Sequence, residues 1–275
     1  GRKDSTFAYR YIRKHYFDNL DFSDERMIHT PIFHKKIRDY INNVIPQHPD
    51  SIISGAHYMV SLAKANDEMF KYVVHYITNT YEQSKYMGMD AVFVDMVENY
   101  YTNGQAYWVD SLNLYKIVER AKDLKPTLIG KIAPNLILKD TSGKYVSMHH
   151  LPTKLVLLVF WDPDCGHCKK AMPKIKDTYD KWQSEQVPIE VFSVCTEVEE
   201  EKWRKYIRSH NFNWVDVGDF ELKNNFREIY DISSTPRIFL LDEKRKIIAK
   251  QLSEEQLVDF VNRVLKEDKK KSGKN

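Results

Sequence analysis

Seven consecutive apolar residues, Leu155-Val156-Leu157-Leu158-Val159-Phe160-Trp161, form the longest uninterrupted apolar run in the chain. A run that is apolar on both alternations leaves no face for water, which predicts a central strand covered on both sides. It is far short of the roughly 20 residues that a membrane-spanning helix needs, so a transmembrane span is not expected. The flanks agree with a buried sheet. After Gly130, short β-type runs alternate with amphipathic helical segments, the signature of an α/β or α+β domain.

Residues 135–139 and 144–148 flank Asp140-Thr141-Ser142-Gly143, a composition suited to a hairpin turn. Residues 189–194 read as the next strand. Residues 238–241 and 247–252 lie either side of Asp242-Glu243-Lys244-Arg245-Lys246 and predict an antiparallel hairpin. Thr196 with Glu199, and Ser253 with Gln256, have the spacing of capping boxes ahead of two helices. Before residue 130 the pattern is different. Apolar residues recur at helical spacing from Thr6 to Asp123, giving five or six helices and no strong strand candidate. The stripes are Phe33, Ile37, Tyr40, Ile41, Val44; Ile53, Ala56, Val60, Ala63; Phe70, Val73, Val74, Ile77, Tyr81; Phe93, Met96, Val97, Tyr100; and Leu114, Ile117, Val118, Ala121. Asp50-Ser51 and Asn66-Asp67 offer caps, and the last stripe follows Asp110-Ser111. The expected organisation is an all-helical domain over residues 1–129, a sheet domain over 130–265 and a disordered basic tail over 266–275, which has no apolar residues.

That tail also explains the charge. The chain carries 42 Lys and Arg against 39 Asp and Glu, and the last ten residues supply the whole excess of +3. No basic face remains for nucleic acid. Gly1-Arg2 opens the chain with neither a charged leader nor an apolar core, so a signal peptide is not expected within it.

Two of the three cysteines stand as Cys165-Gly166-His167-Cys168, between the buried strand and a helix that carries Met172, Ile175, Tyr179 and Trp182. A sulfur at a helix start faces unpaired backbone amides and the positive end of the helix dipole, which favours thiolate at Cys165. A protonated His167 would add to this. Cys168, three residues on, returns to nearly the same face and can attack a mixed disulfide formed at Cys165. A zinc site would need two more ligands at matching spacing, and neither Cys195 nor the adjacent His149-His150 supplies them. Redox chemistry is therefore expected and a metal is not. Cys195, alone in a predicted strand, is expected to be a small core residue.

Phe160-Trp161-Asp162-Pro163-Asp164-Cys165-Gly166-His167-Cys168, with Pro173 in the following helix and Thr235-Pro236 ahead of a strand, resembles the thioredoxin-fold thiol-disulfide oxidoreductases. The lead-in Gly130-Lys131-Ile132-Ala133-Pro134 and the hairpin after it point to the TlpA/ResA-like branch. The resemblance covers residues 130–265 and implies a central mixed sheet flanked by helices. It also implies a catalytic pair Cys165 and Cys168, tuned by Trp161, Gly166 and His167, with Thr235 and a cis Pro236 gripping the substrate chain. Cysteine-containing polypeptides and a redox donor or acceptor protein are the implied partners, the redox-active disulfide is the only cofactor, and the implied location is extracytoplasmic. Gly-His is the pair found in protein disulfide isomerases, so a less reducing site than thioredoxin is implied. Two positions depart from the family: its buried acids would fall at Val159 and Ala171. Asp162 and Asp164 are expected to point to solvent instead.

The helical half holds 13 of the 17 Tyr and six of the 8 Met. Most fall on the stripes and belong to a core; Tyr100-Tyr101, Tyr107-Trp108 and Tyr86-Met87 fit less well and are candidates for a docking surface or for the inter-domain contact. His15, His29, His34, His48, His57 and His75 lack the spacing of a helical metal site. Two other functions compete with the oxidoreductase. One is a protein-binding adaptor or chaperone with little redox turnover. The other is a peroxidase, disfavoured because Val159 and Asp162 stand where a Pro and a hydroxyl would be needed.

Overall fold

The computed structural model describes residues 6–272. They belong to two compact units, Gly1–Lys125 and Pro126–Asn275. Among the described residues, no helix is long and apolar enough to cross a membrane.

The first unit is helical: α1 (Phe7–His15), α2 (Pro31–Asp39), α3 (Pro49–Ala63), α4 (Asp67–Glu82), α5 (Asp90–Met96) and α6 (Ser111–Leu124). Asn66 accepts hydrogen bonds from the amides of Glu68 and Met69, and Asp110 from those of Leu112 and Asn113, so both act as caps. Asp50 does not. Helix α3 starts one residue earlier at Pro49, whose preset φ and missing N–H suit a first helical position, and Asp50 lies inside the first turn.

Helices α2 and α5 each run into a wider π-turn, Tyr40–Val44 and Val97–Tyr101, closed by Ile45 N to Tyr40 O and Thr102 N to Val97 O, both 3.1 Å. The residue inserted in such a turn brings two neighbouring side chains to the inner face. Tyr40 and Ile41 are both buried, as are Tyr100 and Tyr101. Tyr100-Tyr101 is therefore core and not a docking surface. Tyr86 and Tyr107 do stand out, at 79% and 59% exposure, while Trp108 lies half-buried with its ring 5.8 Å from Phe70. His57 takes structural partners, Tyr100 Oη and an Asp95 carboxylate oxygen, each at 2.7 Å.

The second unit is built on a seven-stranded sheet. In chain order its elements are β1 (Ile137–Asp140), β2 (Tyr145–Ser147), β3 (Leu155–Trp161), α7 (Gly166–Ser184), β4 (Ile189–Cys195), α8 (Glu200–His210), β5 (Val215–Gly218), α9 (Phe226–Ile229), β6 (Arg237–Leu241), β7 (Ile247–Lys250) and α10 (Glu254–Ser272). The spatial order is β2-β1-β5-β4-β3-β6-β7. Strand β3 pairs parallel with β4 and antiparallel with β6, and every one of its seven side chains is buried. Leu157, Val159 and Trp161 face a core with Met172, Ile175, Trp203 and Leu257. Val156, Leu158 and Phe160 face the opposite core with Leu136, Met148, Phe226 and Tyr230. This is the mixed, helix-flanked sheet of the thioredoxin fold.

Four details differ from the sequence reading. The stretch before Gly130 belongs to the sheet unit: Gly130 N donates to Ile247 O, Ile247 N to Lys131 O, and the buried Lys250 ammonium donates to Thr127 O at 2.9 Å. Those bonds move the boundary from residue 130 to Pro126. Strand β5 is not apparent in the sequence, because its buried Asp216 disguises a short strand as polar loop. Thr196 does not cap α8, whose cap position is Glu199; its hydroxyl donates to Trp161 O at 3.2 Å, so it is committed to the end of β3. Finally, α10 continues to Ser272 through residues expected to be a disordered tail, in keeping with the good helix propensity of Lys and Glu. Residues 273–275 lie outside the described range. The Ser253–Gln256 capping box forms in both directions, at 3.2 and 3.3 Å.

Candidate active site

The chain leaves the sheet at Trp161 and turns through Asp162-Pro163-Asp164, with Asp164 N bonded to Asp162 Oδ1 at 2.7 Å. Cys165, in extended conformation, occupies the cap position of α7, and Cys165 O accepts the first helical bond from Lys169 N. Cys165 is half-buried, Cys168 is buried completely, and both stand as free thiols. Across the site, the Thr235–Pro236 peptide is cis, and the Cys165 thiol donates to Thr235 O at 3.4 Å. Cys168 Sγ accepts from Asp162 N at 3.5 Å. Residues 70 positions apart thus meet at one sulfur.

The two thiols are driven in opposite directions. Burial acts to raise Cys165, but hydrogen bonding with Thr235 and Cys168 and the backbone N–H groups of Cys168 and His167 outweighs it, and the net shift is downward. Burial dominates at Cys168 and pushes it up to about 11. An exposed-side thiol biased toward thiolate beside a buried one held as thiol is the arrangement a nucleophile and its resolving partner require.

The neighbouring motif residues divide by role. His167 is exposed, and its influence on Cys165 comes through its backbone N–H. A Cβ built on Gly166 would meet nothing within 4 Å, so no crowding demands glycine there. Trp161 is fully buried, its ring 5.1 Å from that of Tyr206, and its indole N–H donates to Ser193 Oγ at 2.7 Å. Val159 is buried among apolar side chains, and Ala171 is buried as well. Asp164 is exposed and paired with Lys202 at 2.8 Å, whereas Asp162 is only partly exposed. The carboxylates of Asp162, Asp164 and Glu197 approach within 4.8 Å, with Lys202 and the amides of Val198 and Glu199 supplying protein donors to that rim. Cys195 is buried, and burial pushes its thiol up to about 12.

Sequence reasoning missed a buried carboxyl close to this face. Asp216 accepts from Ser193 Oγ at 2.6 Å and from Trp214 Nε1 at 2.8 Å, and burial pushes it up to about 7. Its only sequence signal is the alternation Trp214-Val215-Asp216-Val217, in which the Asp shares a parity with the Trp.

Fold and paired thiols together define a thioredoxin-like oxidoreductase, and comparison with known proteins agrees. A thioredoxin-like family model matches residues 153–247, and a domain of unknown function (DUF5106) matches residues 3–125. Thiol-disulfide oxidoreductase ResA of Bacillus subtilis (strain 168) is 30% identical over 138 residues, spanning 48% of this chain and 74% of ResA. A ResA of Bacillus cereus is 27% identical over 145 residues, spanning 52% of this chain and 82% of that protein. A thioredoxin-like protein from Bacteroides caccae ATCC 43185 superposes with a TM-score of 0.69 at 19% identity, covering 92% of this chain and 91% of that one, a likeness of fold. The chain belongs to the ResA-like family of thiol-disulfide oxidoreductases and carries an additional N-terminal helical domain.

Proposed function

We propose that this oxidoreductase acts on cysteine-containing polypeptides outside the cytoplasm, in the reductase or isomerase direction, through Cys165 and Cys168. The Cys165 thiolate attacks one sulfur of a substrate disulfide, forming a mixed disulfide and releasing the other substrate sulfur as thiolate. Cys168 gives up its proton and attacks Cys165 Sγ. The second substrate thiolate leaves, two electrons have passed to the substrate, and a Cys165–Cys168 disulfide remains. A dithiol donor protein returns the pair to its reduced form. No cofactor beyond the pair is needed.

The observation that carries this reading is the opposed bias of two adjacent thiols at the start of α7. Thr235 is assigned the backbone contact with substrate, since its carbonyl already reaches Cys165 Sγ. Extracytoplasmic action is supported by family membership. The test is capture: Cys168→Ser should hold substrate polypeptides as mixed disulfides at Cys165, releasable by dithiothreitol, and Cys165→Ser should hold none. Equal capture by both variants would reject the exchange mechanism and favour a binding adaptor.

A further inference from the structure

Val159, Ser193 and Asp216 lie side by side across β3, β4 and β5, since Val159 pairs with Ser193 and Ser193 with Asp216. Val159 faces the core that holds Trp161 and Cys168. Val159 on β3 is apolar, and a buried carboxyl stands two strands away on β5. Asp216 is 4% exposed, and no Lys or Arg pairs with it among the described residues. Its hydrogen bonds instead form a chain: Trp161 Nε1 donates to Ser193 Oγ, which donates to Asp216 Oδ1, and Trp214 Nε1 donates to the same oxygen. A buried carboxyl without a cation is costly to keep ionised. Its location behind the indole that precedes the redox motif gives that cost a use.

We propose that Asp216 is a positioning residue of the redox site, holding the Trp161 indole through Ser193 and exchanging its proton with solution as the Cys165–Cys168 pair changes redox state. The inference rests on the redox reading above. Reduction of the disulfide by a dithiol adds two electrons, and with Cys165 left as thiolate one proton enters, at Cys168. The new negative charge at Cys165 strengthens proton binding at Asp216, so in the range between its two affinities a second proton enters there. Other titratable groups face this region. Cys195 on β4 stays a thiol, the Tyr179 hydroxyl of α7 donates to Glu190, and Tyr206 of α8 stacks on His210 with ring centroids 4.0 Å apart. Of these groups, only Asp216 is joined to Trp161 through Ser193.

The test is the pH dependence of the glutathione equilibrium of the full chain, read by mass after alkylation. Oxidation of two glutathione thiols releases two protons, so uptake of one by the reduced pair leaves the equilibrium rising tenfold per pH unit, 29.6 mV, and uptake of a second at Asp216 flattens it around neutrality in the wild type. Asp216→Asn should lose that flat segment and keep the tenfold slope throughout. A pair that exchanges with the same profile in both proteins overturns the inference alone, whereas a pair that does not exchange at all rejects the redox reading on which it rests. Should the variant fail to fold, the carboxyl carbon of Asp216 can be titrated by NMR in the oxidised and reduced wild type. A higher midpoint in the reduced form is expected, and identical midpoints would overturn the coupling. Ser193→Ala should stop the Trp161 indole N–H signal from following the Asp216 titration; continued tracking would refute the link.

Discussion

Alkylation of the fully reduced chain by iodoacetamide, stepped through pH, tests the opposed bias of the two thiols directly. Cys168 is pushed up to about 11, while Cys165 lies below its ordinary value of 9.0. The gap is at least 2 pKa units, so well below both values Cys165 holds at least about a hundredfold more thiolate. Part of that advantage is returned, because a thiolate loses nucleophilicity as its pKa falls. With a Brønsted coefficient of about 0.4–0.5, the loss over 2 units is roughly tenfold. Ionisation alone therefore leaves Cys165 at least about tenfold faster at pH 7, and the complete burial of Cys168 widens the margin. Both residues fall before Lys169 in one tryptic peptide, so fragment-ion mass spectrometry must assign the label. Equal labelling, or faster labelling of Cys168 in a chain that keeps its near-ultraviolet circular dichroism, would refute the reasoning.

Stability should respond to Asp216 in a defined direction. Its folded-state pKa, about 7, lies above the unfolded value of about 3.9, so the fold binds more protons between those limits and loses stability as pH rises through them. Denaturant titrations should show Asp216→Asn removing a contribution of up to about 4 kcal/mol in that window; a difference between the two proteins that is flat with pH would contradict it. Tyr101→Ala should cost about 3–5 kcal/mol as a large core truncation, and Tyr107→Ala within about 0.5 kcal/mol, by the same measurement. Asn66→Ala should cost about 1 kcal/mol through the lost cap of α4, and an unchanged melting temperature would argue against that cap.

Strand β3 is legible residue for residue, because an apolar run covered on both faces has no other use in a chain of this kind. The placement of Cys165 is legible for a related reason, since a strand leading into a helix puts it at the helix start, where backbone amides converge. Other features depend on events that local patterns do not contain. Tyr100 and Tyr101 point inward together only because α5 widens into a π-turn, which breaks the 3.6-residue phase used to assign faces. Thr196 has the spacing of a cap, but the carbonyl of Trp161, 35 positions away, claims its hydroxyl. Asp216 reads as loop because an acid is a poor guess for a strand interior, and its hydrogen-bond donors, Ser193 and Trp214, become visible only in the folded sheet. The sequence assigns His167 its influence through a charge; the structure gives it through a main-chain amide.

The bond between Lys250 and Thr127 joins residues 123 positions apart, and Gly130 N, Lys131 O and Ala133 N likewise find partners at Ile247 and Arg245. For a chain made from its N-terminus, this sets an order of events. The helical unit ends at Lys125 and has every one of its internal partners once that residue has emerged from the ribosome. The first residues of the sheet unit must then wait, with their polar groups in water, for almost the whole remainder of the chain to be synthesised. The last hairpin is therefore what closes the start of the unit: a chain interrupted before Lys250 would keep β3 paired with β4 and β6 but leave Thr127 O without the Lys250 ammonium.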